Sequence, residues 1–298
     1  LILFMMPLVF ALLVGRTFCG SVCPLGAIQD LVVFRPKTVP APLDHALRIV
    51  PMAYLGVAVL LAAAGSQFVI CRYDPFVGLF RFSGPLTPMI LGAALLAIGL
   101  FVARPYCRYL CPYGAILNGC SRLARWRVSV TPDRCVQCKL CENACPFDAI
   151  ESPSGDLPPA SRRSRGIELG IVLALLPVFA AAGGYTLSRL AGPLSLTHPA
   201  ASTARQIERE NRGWTKETTD ASDAFRATGQ PTRELYDRAE SVRGFLADGG
   251  WIVGGILGAL FALKLAAIVR RVRREDYEPD RGRCLSCGRC FDFCPVEI

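Results

Sequence analysis

CVQCKLCENACPFDAI, residues 135–150, is the stretch that decides how this chain is read. Its cysteines, Cys135, Cys138, Cys141 and Cys145, are spaced Cys-x2-Cys-x2-Cys-x3-Cys, and Pro146 follows. Such short gaps let three thiolates curl round one face of a [4Fe–4S] cubane. The fourth, displaced and followed by proline, points away towards a second cluster. The run recurs as Cys284, Cys287, Cys290 and Cys294, followed by Pro295. Structural zinc usually takes two separated Cys or His pairs, and neither run is built that way. Where one chain carries two such runs, the fourth cysteine of each ligates the other cluster. One cluster is therefore expected on Cys135, Cys138, Cys141 and Cys294, and the other on Cys284, Cys287, Cys290 and Cys145. Two single-cluster lobes would use the same residues with a different pairing.

Outward from these runs the chain is apolar. Hydrophobic residues make up 52% and charged residues 19% of the 298, which argues against a purely soluble fold. Five apolar segments stand out, at 1–14, 47–64, 88–103, 167–187 and 251–269. A membrane-crossing helix needs about 20 residues. The last two segments meet that length, the middle two need their flanks, and the first is short. The chain opens on Leu1 inside an apolar run, so residues upstream of it are expected. A cleaved signal peptide is a poor reading, because Arg16 follows the apolar stretch instead of preceding it.

Arginine and lysine orient the segments. The linker 104–166 carries ten basic residues, and the stretch after the last segment contains Arg270, Arg271, Arg273 and Arg274. Basic loops stay in the cytoplasm. Alternation then puts 15–46 inside as well, and 65–87 and 188–250 outside. The longer outer loop balances nine basic against nine acidic residues. It reads as polar helices broken at Gly213, Gly229 and Pro231, with a weak stripe of Leu235, Ala239, Val242 and Leu246. The formal charge of +9 flanks apolar segments, so it reads as membrane topology and not as nucleic-acid binding.

An internal repeat is the next signal. Arg16-Thr-Phe-Cys19-Gly-Ser-Val-Cys23-Pro24-Leu-Gly26-Ala27-Ile28 returns as Arg104-Pro-Tyr-Cys107-Arg-Tyr-Leu-Cys111-Pro112-Tyr-Gly114-Ala115-Ile116, displaced by 88 residues. Each copy follows an apolar segment at its cytoplasmic end, as in parallel repeats of membrane proteins. On a helix, residues i and i+4 share a face. Cys19 with Cys23, and Cys107 with Cys111, could each present two thiols there. Four converging thiolates suit an Fe–S centre or a soft metal such as Cu(I), so these four are a candidate additional redox or metal site. The competing reading is buried cysteines in helix packing, and the repetition of the flanking residues argues against it. Cys71 and Cys120 lack a partner by spacing and read as packing residues.

No other chemistry is legible. There is no phosphate loop, no Ser/His/Asp set and no Cys-x-x-Cys-His haem attachment site. Two histidines, His45 and His198, make bis-His haem improbable, and His198 before Pro199 reads as a turn residue. Tyr73-Asp74-Pro75-Phe76 reads as an interfacial turn with an aromatic anchor, and less readily as the lining of a quinone or partner site.

FCGSVCPLGAI, YCRYLCPYGAI and the two cysteine runs, which are bacterial ferredoxin runs, resemble the NosR/NapH family of membrane-bound polyferredoxin-like proteins, which includes the CcoG-type proteins. The resemblance covers about half the chain. It implies electron transfer between the quinol pool or cytoplasmic donors and periplasmic respiratory or maturation systems, at the bacterial inner membrane. Some members carry an extracytoplasmic FMN-binding domain, so FMN is expected only in an upstream or partner domain. Family members keep the two ferredoxin runs close together, whereas here an apolar hairpin and a loop separate them.

The expected fold is a polytopic α-helical membrane protein with about five transmembrane helices and a cytoplasmic two-[4Fe–4S] ferredoxin-like α+β lobe. Its parts are a membrane region with two repeats (1–127), the lobe in two halves (128–151 and 280–298), a transmembrane hairpin (167–187 and 250–270) and an extracytoplasmic helical loop (188–249). The expected function is an iron–sulfur electron-transfer subunit with redox-protein partners in a lipid bilayer, a quinone being a further candidate partner. A copper-handling reductase or assembly factor using the Cys-x3-Cys cysteines, and a redox-sensing regulator, are the alternatives.

Overall fold

The computed structural model describes residues 2–34, 36–66, 68, 70–71, 74–76, 86–126, 128–130, 135–153, 162–215, 217–269 and 276–296. The chain forms two compact units. The first holds Leu1–Leu55, Asp74–Ser161 and Arg270–Ile298, and the second holds Gly56–Tyr73 and Arg162–Val269. Both ferredoxin runs and both Cys-x3-Cys-Pro copies therefore lie in the first unit, although residues 162–269 intervene in sequence.

In the first unit, helix α1 (Ile2–Val14) leads into the short α2 (Thr17–Ser21) and α3 (Pro24–Val32). Helices α4 (Ala41–Leu47) and α5 (Val50–Ala63) follow, the latter passing on into the second unit. Helix α6 (Leu86–Gly99) then leads into α7 (Pro105–Tyr109) and α8 (Pro112–Arg122), which repeat α1, α2 and α3. The first repeat is tied to the second where α1 lies along α8. The Arg125 and Trp126 amides donate to the carbonyls of Leu12 and Leu13 at 3.1 and 2.8 Å, and the Tyr113 hydroxyl donates to the Phe4 carbonyl at 2.6 Å.

The ferredoxin-like part of this unit interleaves its two halves. Helix α9 (Leu140–Ala144) and strand β1 (Ile150–Glu151) come from the first half, and strand β2 (Glu278–Pro279) and α15 (Arg289–Asp292) from the second. The strands pair antiparallel, Ile150 opposite Pro279, and the Asp280 amide extends the ladder to the Ala149 carbonyl at 2.7 Å. A two-stranded sheet is marginal alone. It persists here because Tyr277, Ile150 and Cys141 are buried together beside Cys135, Cys145 and Cys290.

The described residues of the second unit form helices joined by turns and short irregular links, with no strand among them. Helix α10 (Arg162–Arg189) is followed by α11 (Ala191–Ser195), α12 (Pro199–Asn211), α13 (Asp220–Ala227) and α14 (Thr232–Val269). Gly213 and Gly229 adopt left-handed φ values of +71° and +68°, which end α12 and α13. The His198 imidazole caps α12, accepting from the Ala200 amide at 3.2 Å. Helix α14 runs unbroken for 38 residues from polar into apolar sequence, so the helix starts well before the apolar segment at 251. The stripe Leu235, Ala239, Val242 and Leu246 faces inward: Leu235 joins Ala204 and Ile207 with Ala239 against them, and Leu246 joins Leu60, Leu61 and Ala191 with Val242 against them.

Helix α10 packs on α14 through glycine. Gly250, Gly254 and Gly258 recur every four residues on α14, and each sits directly against α10 backbone. Gly183 meets the Gly254 carbonyl, and Gly184 meets Trp251. Small residues at this spacing let two helices approach closely in lipid, where the hydrophobic effect does not drive helices together.

Among the described residues, three helices are long and apolar enough to cross a membrane: Pro42–Ala63, Gly166–Arg189 and Thr232–Ala267. The apolar helices Phe4–Val14 and Leu86–Gly99 are shorter. Helix α6 has 14 residues, roughly 21 Å at 1.5 Å per residue, against a hydrocarbon core of about 30 Å.

Candidate redox centres

Each ferredoxin run bends by the same device. Gln137 and Ser286, each just before the second cysteine of its run, have positive φ values of 53° and 52°. Lys139 and Gly288, each just after that cysteine, have φ values of 65° and 77°. Left-handed residues in a tight loop turn successive amides to one side, which builds an anion-binding concavity. Three of the four are not glycine, and such strain persists at functional sites where the surroundings over-determine it.

The two runs meet. A cavity is lined by Cys135, Cys138 and Cys141 of the first run together with Cys294 of the second, and Tyr277 and Cys290 close it. On the other side, Cys145 of the first run lies close enough to Cys284 and Cys290 for its charge to act on both. The Ala149 amide points at the Cys145 sulfur at 3.4 Å, and the Ser286 amide at the Cys284 sulfur at 3.4 Å. Burial pushes the Cys290 thiol up to about 11, and the neighbouring Cys284, Cys287 and Cys145 add to it. Burial likewise raises Cys141 and Cys284.

The Cys-x3-Cys-Pro pairs are built differently from the continuous helix expected for them. A residue before proline is driven out of the helical region. Cys23 (φ −67°, ψ 118°) and Cys111 (φ −63°, ψ 111°) are extended, and each becomes the N-cap of the helix that its proline begins. The helix thus breaks between the two thiols of each pair. The two copies nevertheless converge: Cys107 lies within electrostatic reach of Cys111, Cys23 and Cys19. Burial pushes Cys107 up to about 12 and Cys111 up to about 11, with the other thiols of the group contributing. Burial also raises Cys19, against the nearby Arg16.

Two arginines are exchanged between the copies. Arg104, from the second copy, donates to the Cys19 and Gly20 carbonyls of the first and pairs with Asp30, its Nε reaching Oδ1 at 2.7 Å. A Cβ on Gly26 would stand 2.9 Å from the Cys19 carbonyl and 3.2 Å from Arg104 Nη1. In mirror fashion, a Cβ on Gly114 would stand 3.2 Å from the Cys107 carbonyl and 3.4 Å from Arg16 Nη2. At Gly26 a side chain would force the backbone to shift, and at Gly114 the neighbours would have to give by a few tenths of an ångström. Arg16 Nη1 donates to the Gly282 carbonyl at 3.0 Å. Arg16 is 7% exposed, and its Nε is buried with no hydrogen-bond partner among the described residues. A buried donor left unsatisfied is costly, and one beside four thiols fits a site made for an anionic, sulfur-rich group. Four thiolates with two guanidinium groups beside them suit an iron–sulfur cluster in donor chemistry. Among the described residues, no three His, Cys, Asp or Glu side chains meet closely enough to hold a single metal ion; the ligands of a cubane stand further apart.

The ferredoxin-like part sits on the repeat. Ala103, Phe147, Ala149 and Leu285 form one buried cluster, and Cys19, Cys145 and Cys284 all pack against it. The Leu285 carbonyl lies directly over Gly20, where a Cβ would come within 2.6 Å. Arg108 joins the parts by charge, pairing with Asp44 at 2.8 Å and with Asp148 at 3.0 Å.

Asp74 and Phe76 also reach this region. The Tyr106 hydroxyl donates to Asp74 Oδ2 at 2.7 Å, and Phe76, 1% exposed, meets the Tyr106 ring edge-on at 4.9 Å. Asp74 and Phe76 belong to the stretch 65–87 that alternation expects on the outer side, and Gly92 admits the Pro75 carbonyl between them. Tyr73 lies outside the described residues. Cys71 is exposed, which does not fit the packing role expected of it, and Cys120 is half-buried.

Arg16, Arg104, Gln29, Asp30, Asp44 and Asp148 were not singled out as functional by spacing. The repeat itself carried the signal for the arginines, because both copies begin with one.

Comparison with known proteins follows this geometry. Three 4Fe–4S binding domain families match the chain. One covers residues 1–42 and 84–131, the second 128–151 and the third 281–297. The first spans both Cys-x3-Cys-Pro copies. Among curated proteins, the putative electron transport protein YccM of Escherichia coli is 31% identical over 47% of this chain and 43% of its own length. Protein NirI of Paracoccus denitrificans is 33% identical over 49% of this chain and 23% of its own. The regulatory protein NosR of Pseudomonas aeruginosa is 32% identical over 48% and 22%. The chain spans less than two thirds of the length of the curated relatives it matches. No solved structure matches it.

Proposed function

Taking as premise that this chain belongs to the NosR/NapH-like polyferredoxin family, we propose that it relays electrons through three iron–sulfur centres in a fixed order. Cys135, Cys138, Cys141 and Cys294 would hold the first, Cys284, Cys287, Cys290 and Cys145 the second, and Cys19, Cys23, Cys107 and Cys111 the third. The observation that carries this reading is the shared apolar cluster of Ala103, Phe147, Ala149 and Leu285. It touches Cys145 and Cys284 on one side and Cys19 on the other, so the second site and the repeat site are neighbours with no water-filled gap required between them. The cavity that joins Cys294 to the first run supports the crossed pairing.

When bound, each cluster supplies a one-electron redox couple. The chain's own residues do the rest. Arg16 and Arg104 bring positive charge to the buried thiolates, Phe147 and Leu285 exclude water between neighbouring sites, and Arg108 holds the ferredoxin-like part against Asp44. The basic linker 104–166 and the Arg-rich stretch after 269 support a reading with the lobe on the cytoplasmic side of a bacterial inner membrane and about five segments in the bilayer. Residues 74–76 then re-enter, which irregular backbone does at membrane depth when protein buries it. The donor at the lobe is a soluble redox protein, and the acceptor lies in or beyond the membrane.

The test is rapid reduction of the full chain reconstituted in vesicles. With an artificial one-electron donor outside the lobe face, both ferredoxin centres and then the third centre, at the Cys-x3-Cys-Pro cysteines and hereafter the boundary centre, should reduce in sequence. Cys107→Ser should leave the ferredoxin centres reducible while transfer to a membrane acceptor falls by at least tenfold. Unchanged transfer in that variant would overturn the relay.

A further inference from the structure

The two Cys-x3-Cys-Pro copies match in sequence, but they do not treat their thiols alike. Gln29 is 1% exposed. Its Nε2 donates to the Leu25 carbonyl at 2.8 Å and to the Cys107 sulfur at 3.1 Å. Its Oε1 accepts from the Tyr106 amide at 3.0 Å. That last bond fixes which way the amide faces: the Tyr106 N–H needs an acceptor, so the nitrogen must face the sulfur. The position displaced by 88 residues from Gln29 holds Leu117, equally buried and with no donor. The donor to the Cys107 thiol thus comes from the first copy and crosses to the second, and among the described residues no side chain of the second copy donates to a thiol of the first.

We propose that Gln29 is a positioning residue that raises the redox potential of the centre held by Cys19, Cys23, Cys107 and Cys111, acting on one edge of it through the Cys107 sulfur. The inference rests on the reading that these four cysteines hold an iron–sulfur centre. Reduction adds one electron, taken from the neighbouring ferredoxin centre, and makes or breaks no covalent bond. The added charge falls partly on the ligand sulfurs, so an N–H aimed at one of them stabilises the reduced form over the oxidised form; hydrogen bonds to the sulfurs are among the factors that set such potentials. In a buried site a charge-assisted hydrogen bond of this kind changes the balance by roughly tenfold. Because the amide is clamped at both ends, to Leu25 and to Tyr106, it needs no rearrangement when the electron arrives.

The test is a redox titration of the anaerobically purified full chain followed by electron paramagnetic resonance. Gln29→Met keeps the length and apolar stem but removes the donor. At a fixed solution potential the ratio of reduced to oxidised boundary centre should fall about tenfold, while the two ferredoxin centres keep their wild-type ratios as internal controls. An unshifted boundary centre at full iron content would overturn the proposal. Where Gln29→Met fails to assemble the centre, the wild-type protein decides: with ¹⁵N-labelled glutamine, pulsed resonance should detect a side-chain amide nitrogen coupled to the boundary centre. The absence of that coupling also overturns it. A boundary signal that persists in Cys107→Ser would instead sink the underlying assignment, independently of Gln29.

Discussion

The ferredoxin-like part and the Cys-x3-Cys-Pro repeat are both duplications that bring cysteines from distant sequence together, yet they solve the problem differently. In the ferredoxin-like part each run is locally complete in shape. Left-handed residues at matching positions curl it, Cys138 and Cys287 are exposed, and Cys290 and Cys294 of the second run line the cavity of the first. In the repeat neither copy is complete. The helix breaks between its two thiols, the guanidinium beside the Cys19 carbonyl belongs to the other copy, and all four cysteines are half-buried, with burial pushing the Cys107 thiol up to about 12. A locally curled run depends on cysteine spacing. A site shared between two copies depends as much on the charged residues around it.

The largest effect that could break this comparison is on the crossed cysteines. Cys294→Ser should damage the cluster of the distant Cys135 run, and Cys145→Ser the cluster of the Cys284 run, each seen as loss of one set of resonance signals. Damage confined to the run that carries the substitution would replace the crossed pairing with two independent lobes.

A smaller effect is expected at Arg104. It is 3% exposed and pairs with Asp30, whose side chain is 30% exposed. Removing one partner of a fully buried pair costs about 3–5 kcal/mol; partial solvation of Asp30 brings the expectation for Arg104→Ala to roughly 2–3 kcal/mol. The boundary centre should be lost with it, while the ferredoxin signals remain, and thermal unfolding of the lobe should be little changed. Equal loss from all three centres would mean that the repeat and the ferredoxin-like part do not differ as described.

The smallest effect concerns pH in the metal-free chain. A free thiol titrates near 8.5 when unfolded, and burial holds Cys107 at about 12 and Cys111 at about 11 in the folded protein. The folded state then binds more protons than the unfolded state between those values, so stability is fully present below about pH 8.5 and is lost as pH rises towards 12. The unfolding temperature of the metal-free chain in detergent should fall across that window, and less steeply in Cys107→Ser.

Much of the ferredoxin-like part was legible because its geometry is written in cysteine spacing over eleven residues. The repeat was legible as a repeat, and the prolines after Cys23 and Cys111 were enough to forecast a helix break that the i, i+4 reading overlooked. Gly250, Gly254 and Gly258 carried a visible packing signal for α14 against α10, which hydropathy alone passed over. Asp30, Asp44 and Asp148 could not be assigned from sequence, since an ion pair between residues dozens of positions apart leaves no local pattern. The contact of Asp74 with Tyr106, 32 positions away, left no local pattern either.

The most direct test is the iron and acid-labile sulfide content of the anaerobically purified full chain beside its Cys107→Ser variant. Three cubanes predict about twelve of each per chain, falling to about eight in the variant. A wild-type content of about eight that Cys107→Ser leaves unchanged would contradict the three-centre relay.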